Sequence, residues 1–140
     1  MKTPAHVVVS LILAAALYQI FQWKVVLILA GGVMIDIDHY FWYISKYKKF
    51  NLFSCYKYHA MDAKKNKWKD VCGALFVFHT IEFLMLMASL SFYNEFALIF
   101  TIGLLPHYMM DILFILAVPK CFILNHSIVY WIYRSLIQKV

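Results

Sequence analysis

The chain alternates between long apolar stretches and short polar breaks. Apolar runs cover residues 7–21, 25–35, 71–93, 96–118 and 122–137. A helix needs roughly 17 to 25 residues to cross a bilayer, so the third and fourth runs qualify outright. The first two reach spanning length as residues 3–21 and 24–42, provided that their polar ends lie in the interface or inside a bundle. The fifth carries Asn125, His126 and Arg134, and either spans or lies in the interface. The pattern predicts an all-α, polytopic membrane helix bundle of four to five transmembrane helices. Residues 1–140 form a single membrane-embedded helical domain on this reading, without internal repeats.

Composition agrees with that class. Hydrophobic residues make up 64% and charged residues 14% of the chain, against roughly 45–50% and 25% in soluble domains. The first run is not followed by a small-residue cleavage site, so it is expected to be retained rather than removed as a signal peptide. Cys55, Cys72 and Cys121 are odd in number and show no CxxC spacing. They predict neither a disulfide framework nor a thiolate zinc site, and are expected to stay free and reduced.

The net charge of +6 has a local origin, because eight of the lysines fall within residues 46–70. The positive-inside rule makes that connection cytoplasmic and sets its charge against anionic headgroups, with no nucleic acid expected as partner. Tyr47, Phe50, Phe53, Tyr56, Tyr58 and Trp68 interleave with the lysines. The segment is therefore a solvated loop or short interfacial helix resting on the headgroups, or else a lid over a site. Alternation of helices then puts Lys2 in the cytoplasm, makes Gln22, Trp23 and Lys24 one external turn and Asn94 with Glu95 another, and returns Lys120 to the cytoplasm. The expected location is a cytoplasmic (inner) membrane, multi-pass. A bundle this thin leaves room for an oligomer, though no motif demands one.

Against this topology the ionisable residues stand out. A charged group beside hydrocarbon costs several kcal/mol unless it is neutralised. His6 lies near the cytoplasmic end of the first helix, and Asp36, Asp38 and His39 lie at the cytoplasmic end of the second. His79, Glu82, His107 and Asp111 fall about 10 to 17 Å inside their runs, toward the same side. His79 and Glu82 are spaced i,i+3 and His107 and Asp111 i,i+4, so each pair is expected to share a helical face. Imidazole with carboxylate is a ligand set for zinc, and manganese or iron also accept it. The eight groups predict a divalent metal site, with one, two or more ions. Asp38 faces away from Asp36 and His39 unless the helix ends or bends there.

Each residue also has a plainer reading. A single membrane histidine often bonds to a neighbouring helix, and Glu82 or Asp111 alone would serve as a protonated carboxyl in helix association or as a relay acid. His59 with Asp62 is read as exposed loop, and His126 has no acid beside it. Arg134 and Lys139 are read as helix-end snorkelling cations. Gly31, Gly32 and Gly103 permit close helix packing or a bend beside the site, and Pro106 predicts a kink before His107.

His6, the DIDH of residues 36–39 and the GLLPHYMMD of residues 103–111 resemble a family of small membrane-bound metal-dependent hydrolases that includes LexA-regulated inner-membrane members. That family looks distantly similar to the zinc phospholipase C and single-strand nuclease superfamily. The resemblance covers about residues 1–115. It departs where Met34 and Ile35 replace a glycine-proline, and where FHTIE of residues 78–82 stands in place of a Thr-His-Ser segment. It implies a metal-activated water attacking a phosphoester, with a membrane phospholipid as substrate. The expected ligands are His6, Asp36, His39, His79, His107 and Asp111, with Asp38 and Glu82 completing the set or acting as acid and base. The competing readings are a metal-dependent lipid amidase, for which Ser127 is the candidate serine, a metal or ion transporter, and a structural membrane protein whose polar core fixes helix packing.

Overall fold

A computed structural model describes residues 3–62, 74–117 and 127–137. Among these residues every regular element is helical. Helix α1 (Thr3–Phe21) runs to a left-handed residue, Gln22 (φ 50°), which with the 3-10 turn Gln22–Val25 reverses the chain into α2 (Val26–Val33). After a further 3-10 turn, Met34–Asp36, the chain continues as α3 (Ile37–Tyr47) and α4 (Leu52–Lys57), which ends in a π-turn, Tyr58–Asp62. A 3-10 turn at Val77–His79 leads into α5 (Ile81–Leu90), then α6 (Glu95–Ala117) and α7 (Ile128–Ile137).

Two helical stretches, Pro4–Tyr47 and Glu95–Leu113, are long and apolar enough to cross a membrane. The first is a hairpin folded at Gln22 rather than one rod. The continuous helix expected over residues 71–93 is corrected. Thr80 is extended (φ −92°, ψ 151°) and its hydroxyl accepts from the Phe83 amide, so α5 starts at Ile81 and has only 10 residues. The residues of the basic connection from 63 to 70 lie outside the described residues, as do Lys2, Cys72, Lys120, Cys121, His126 and Lys139.

Glycine lets α1, α2 and α6 meet backbone to backbone. A Cβ on Gly103 would collide with the Ile28 carbonyl, one on Gly31 with the Phe100 carbonyl, and one on Gly32 with the Ser10 hydroxyl. Close approach of this kind is what small residues provide where helices pack without a hydrophobic drive. Below these contacts, Ala14, Ile28 and Ile99 form a buried apolar plug. Lys24 bonds to Glu95 and lies over the Phe96 ring at 5.5 Å, tying the two short turns together at one end of the bundle. The histidines and aspartates gather at the other end.

Candidate metal centre

The break after α2 builds the first wall of the centre. Val33 leaves helical geometry (φ −130°, ψ −47°), and the 3-10 turn Met34–Asp36 re-aims the chain before α3. Asp36 and Asp38 both reach the cluster as a result, which a straight helix would prevent. The second wall is α6, where His107 and Asp111 share a face as their spacing predicts, with His107 Nε2 3.2 Å from Asp111 Oδ2. From α1, His6 stacks on His107 with ring centres 3.9 Å apart and places Nε2 3.3 Å from Asp111 Oδ1.

His79 closes the centre from the Val77–His79 turn, outside any long helix. Its Nε2 lies 3.1 Å from His107 Nε2, 3.4 Å from Asp36 Oδ1 and 3.7 Å from Asp111 Oδ2. His107 Nε2 is 3.6 Å from Asp36 Oδ1. Donor atoms about 2.0–2.1 Å from a tetrahedral zinc stand roughly 3.3 Å from one another, so these separations match the edges of a coordination shell.

Tautomers sharpen the point. His107 Nδ1 lies 2.8 Å from the Gly32 carbonyl, which can only accept, and His79 Nδ1 lies 3.0 Å from Asp38 Oδ2. In each neutral ring the proton therefore sits on Nδ1, and Nε2 presents a lone pair. Two lone pairs and two carboxylates facing one another repel unless a cation lies among them. Metal-ligating histidines characteristically donate their second nitrogen to a carboxylate or carbonyl in this way. Three neutral imidazoles with Asp36 and Asp111 would balance a dication in charge. The buried histidines and aspartates can thus hold a divalent metal ion, as the groupings His6–His107–Asp111 and Asp36–His79–His107 indicate.

Asp38 orients histidines. Its Oδ1 accepts from His39 Nδ1 at 2.7 Å, and its Oδ2 from His79 Nδ1 and from the Phe78 amide at 3.2 Å. The Asp38–His39–His79 grouping is therefore held by hydrogen bonds. Tyr108 steadies the same turn, its hydroxyl lying 2.9 and 2.8 Å from the Phe78 and Thr80 carbonyls. His39 stacks on Phe76, ring centres 4.0 Å apart, and meets His79 edge-on at 4.7 Å.

Glu82 is not brought to the centre. Because α5 begins after Thr80, His79 and Glu82 share no helical face, and the i,i+3 expectation fails there. Glu82 instead accepts from the Ser127 hydroxyl at 2.6 Å and from the amides of Ile128 and Val129 at 3.1 and 3.4 Å, capping α7. Ser127 is engaged in that cap, and Arg134 sits in the last turn of α7.

His59 arrives unexpectedly. Tyr43, Cys55 and Tyr58 bury one another, with Trp42 and Tyr47 against them, and this packing folds the Tyr58–Asp62 turn back onto α3. The His59 ring then meets His39 edge-on at 5.2 Å and Trp42 at 5.8 Å. Burial, with His39 beside it, pushes the His59 imidazole down to about 4, so it is neutral at ordinary pH. The signal that could have found it is the density of aromatic residues flanking it, read above as contact with headgroups, which serves packing equally well. No family profile, curated protein or solved structure matches the chain.

Proposed function

We propose that the chain is a multi-pass membrane hydrolase with four to five spanning helices, whose His/Asp centre holds a divalent metal, zinc in the first instance, and cleaves a phosphoester of a membrane lipid at the cytoplasmic side. The observation that carries the metal reading is the convergence of His79 Nε2, His107 Nε2, Asp36 and Asp111 with the ring tautomers already fixed. A bound dication at such a centre supplies Lewis acidity, for activating water and for polarising a phosphoryl oxygen. The chain's own residues position the donors: Asp38 and the Gly32 carbonyl set two rings, and Tyr108 holds the turn that carries His79.

The phosphoester reading rests on the resemblance of the DIDH and HYMMD segments to membrane-bound metal-dependent hydrolases. The lipid reading has further support at the same end of the molecule. Phe50, Leu52 and Phe53 are exposed beside the exposed Lys48, Lys49 and Lys57. Aromatic and aliphatic side chains edged with lysine suit the headgroup boundary of an anionic membrane. A transport path would need ionisable groups along the bundle, whereas Ala14, Ile28 and Ile99 plug it between the centre and the Lys24–Glu95 end. The engagement of Ser127 by Glu82 likewise removes the serine that an amidase would use.

The test is metal analysis of protein purified in detergent, together with hydrolysis of phospholipid in mixed vesicles. Expected are bound zinc and release of a phosphorylated headgroup, both lost in His107→Ala and Asp111→Ala. Stoichiometric zinc surviving both substitutions would overturn the assignment, and release of fatty acid in place of headgroup would move it to amide or acyl chemistry.

A further inference from the structure

We infer that His6 is a positioning residue for Asp111 and His107 rather than a donor to the metal, and that it carries its proton on Nε2, the reverse of His79 and His107. This rests on the reading that the histidines and aspartates hold a metal ion; it separates the side chains that touch the ion from one that acts through them.

Ring geometry carries the first step. An imidazole binds a metal along the lone pair in its ring plane, so the planes of all imidazoles on one ion must cross at that ion. Two such rings on a tetrahedral zinc have their centres roughly 5 Å apart. His79 and His107 meet this condition, with centres 5.1 Å apart and planes at 62°. His6 and His107 do not, because their centres are 3.9 Å apart and their planes only 21° from parallel. Lone pairs in two stacked planes run side by side, and they reach no common point about 2.0–2.1 Å from both Nε2 atoms. Of the three residues grouped there, His107 and Asp111 can share an ion and His6 lies alongside.

The ion does not need His6. The Nε2 atoms of His79 and His107 lie 3.1 Å apart and 3.2 to 3.7 Å from Asp36 Oδ1 and Asp111 Oδ2, which makes four donors. His6 Nε2 addresses the other oxygen of Asp111, Oδ1, at 3.3 Å. With His6 outside the shell, a further position stays open for the water that hydrolysis requires.

The second nitrogen of His6 fixes its proton. The residue is 1% exposed, and its Nδ1 is buried without a hydrogen-bond partner. A proton there would be an orphan donor, at a cost of about 1–3 kcal/mol, and would set the Nε2 lone pair against a carboxylate oxygen. A proton on Nε2 points at Asp111 Oδ1 instead. His79 and His107 differ because each has an acceptor at Nδ1, Asp38 for the first and the Gly32 carbonyl for the second. Donation to Oδ1 holds the Asp111 carboxylate with Oδ2 toward the ion, as hydrogen bonds to ligating carboxylates do. One turn on, Ser10 lies against Gly32, whose carbonyl holds His107. One face of α1 thus steadies both donors of α6.

The experiment loads the whole chain in detergent with zinc, and separately with cobalt(II), for wild type, His6→Ala, His6→Gln and, as the control for a lost donor, His107→Ala. Metal per chain, the cobalt(II) visible spectrum and affinity by chelator competition are read on each. Helical circular dichroism and size-exclusion profile check folding, and X-ray absorption counts the imidazoles on zinc in the wild type. Expected are two imidazoles per zinc, those of His79 and His107, and unchanged cobalt(II) band positions in both His6 variants. Affinity should fall by about 10- to 100-fold in His6→Ala. His6→Gln, whose amide can donate to Asp111 in place of Nε2, should recover most of that loss. Three imidazoles per zinc, shifted cobalt(II) bands in His6→Gln, or wild-type affinity in His6→Ala overturns the inference. If the His6 variants fail to fold, the imidazole count decides alone. A wild type that binds no metal removes the metal reading and this inference with it, whereas stoichiometric zinc with three imidazoles removes this inference alone.

Discussion

His79 and His107 meet through their Nε2 atoms at 3.1 Å, while their Nδ1 atoms are held by Asp38 and by the Gly32 carbonyl. Neither ring can turn away without breaking a buried hydrogen bond, so between neutral rings the repulsion of the two lone pairs is built into the fold. A cation that relieves it binds the native state and not the unfolded one. Chelation should therefore lower the thermal unfolding temperature, and zinc at a hundred times its dissociation constant should restore about 2.7 kcal/mol. Unfolding scans in detergent with and without chelator measure this, and His107→Ala should abolish the response to zinc.

Asp38 makes a separate prediction, because all its bonds run to groups that donate: His39 Nδ1, His79 Nδ1 and the Phe78 amide. Asp38→Asn puts an NH2 against one of these N–H groups and removes an acceptor. With the donors that face the ion untouched, metal affinity should fall by about 10- to 100-fold. Competition with a calibrated chelator reads that change directly. An affinity equal to wild type would mean that Asp38 does not orient the rings.

The convergence of these side chains was legible in the sequence where the spacing lay on unbroken helix. His107 and Asp111 on α6 needed only the four-residue period, and the depth of His6 followed from its place near the start of α1. Legibility failed where the backbone leaves the helix. The break at Val33 that lets Asp36 and Asp38 act together has no glycine or proline at the residue itself; the hints were Gly31 and Gly32 just before it, which permit a bend, and the oddity of two aspartates on opposite faces. The start of α5 was readable, since Thr80 followed by Glu82 is a helix-start pattern, but the hydropathy of the whole run concealed it. His59 was missed because its partners are aromatic residues of α3 and α4, and their mutual packing is not periodic.

Gly103 stands at the closest approach of α6 to α2. A methyl group there would press on the Ile28 carbonyl oxygen, and on Ile28 C and Cα at 2.8 Å. None of these is a side chain that can swing aside, so Gly103→Ala must part the helices. Overpacking of this kind costs about 1–3 kcal/mol. The shift also moves α6 against α2, and with it His107 against the Gly32 carbonyl, so zinc affinity should fall together with stability. Gly32→Ala meets the Ser10 hydroxyl instead, and should be partly rescued by Ser10→Ala. Paired unfolding and metal-binding measurements on the three proteins check both statements.

Glu82 caps the last helix, and this role and that of a metal ligand predict opposite results. Its carboxylate takes the Ser127 hydroxyl and the first two amides of α7, groups that a helix N-terminus otherwise leaves unsatisfied, and its negative charge opposes the positive end of the helix dipole. Ser127 adds a local cap, accepting from the Tyr130 amide at 3.2 Å. Glu82→Ala should cost about 0.5–2 kcal/mol, the range for loss of a helix cap, and should fall chiefly on α7. Amide exchange over residues 128–137 should quicken several-fold while exchange in α2 and α6 stays unchanged. Metal content and affinity should equal those of wild type. Loss of metal in Glu82→Ala, with α7 still protected, would instead place this carboxylate in the centre.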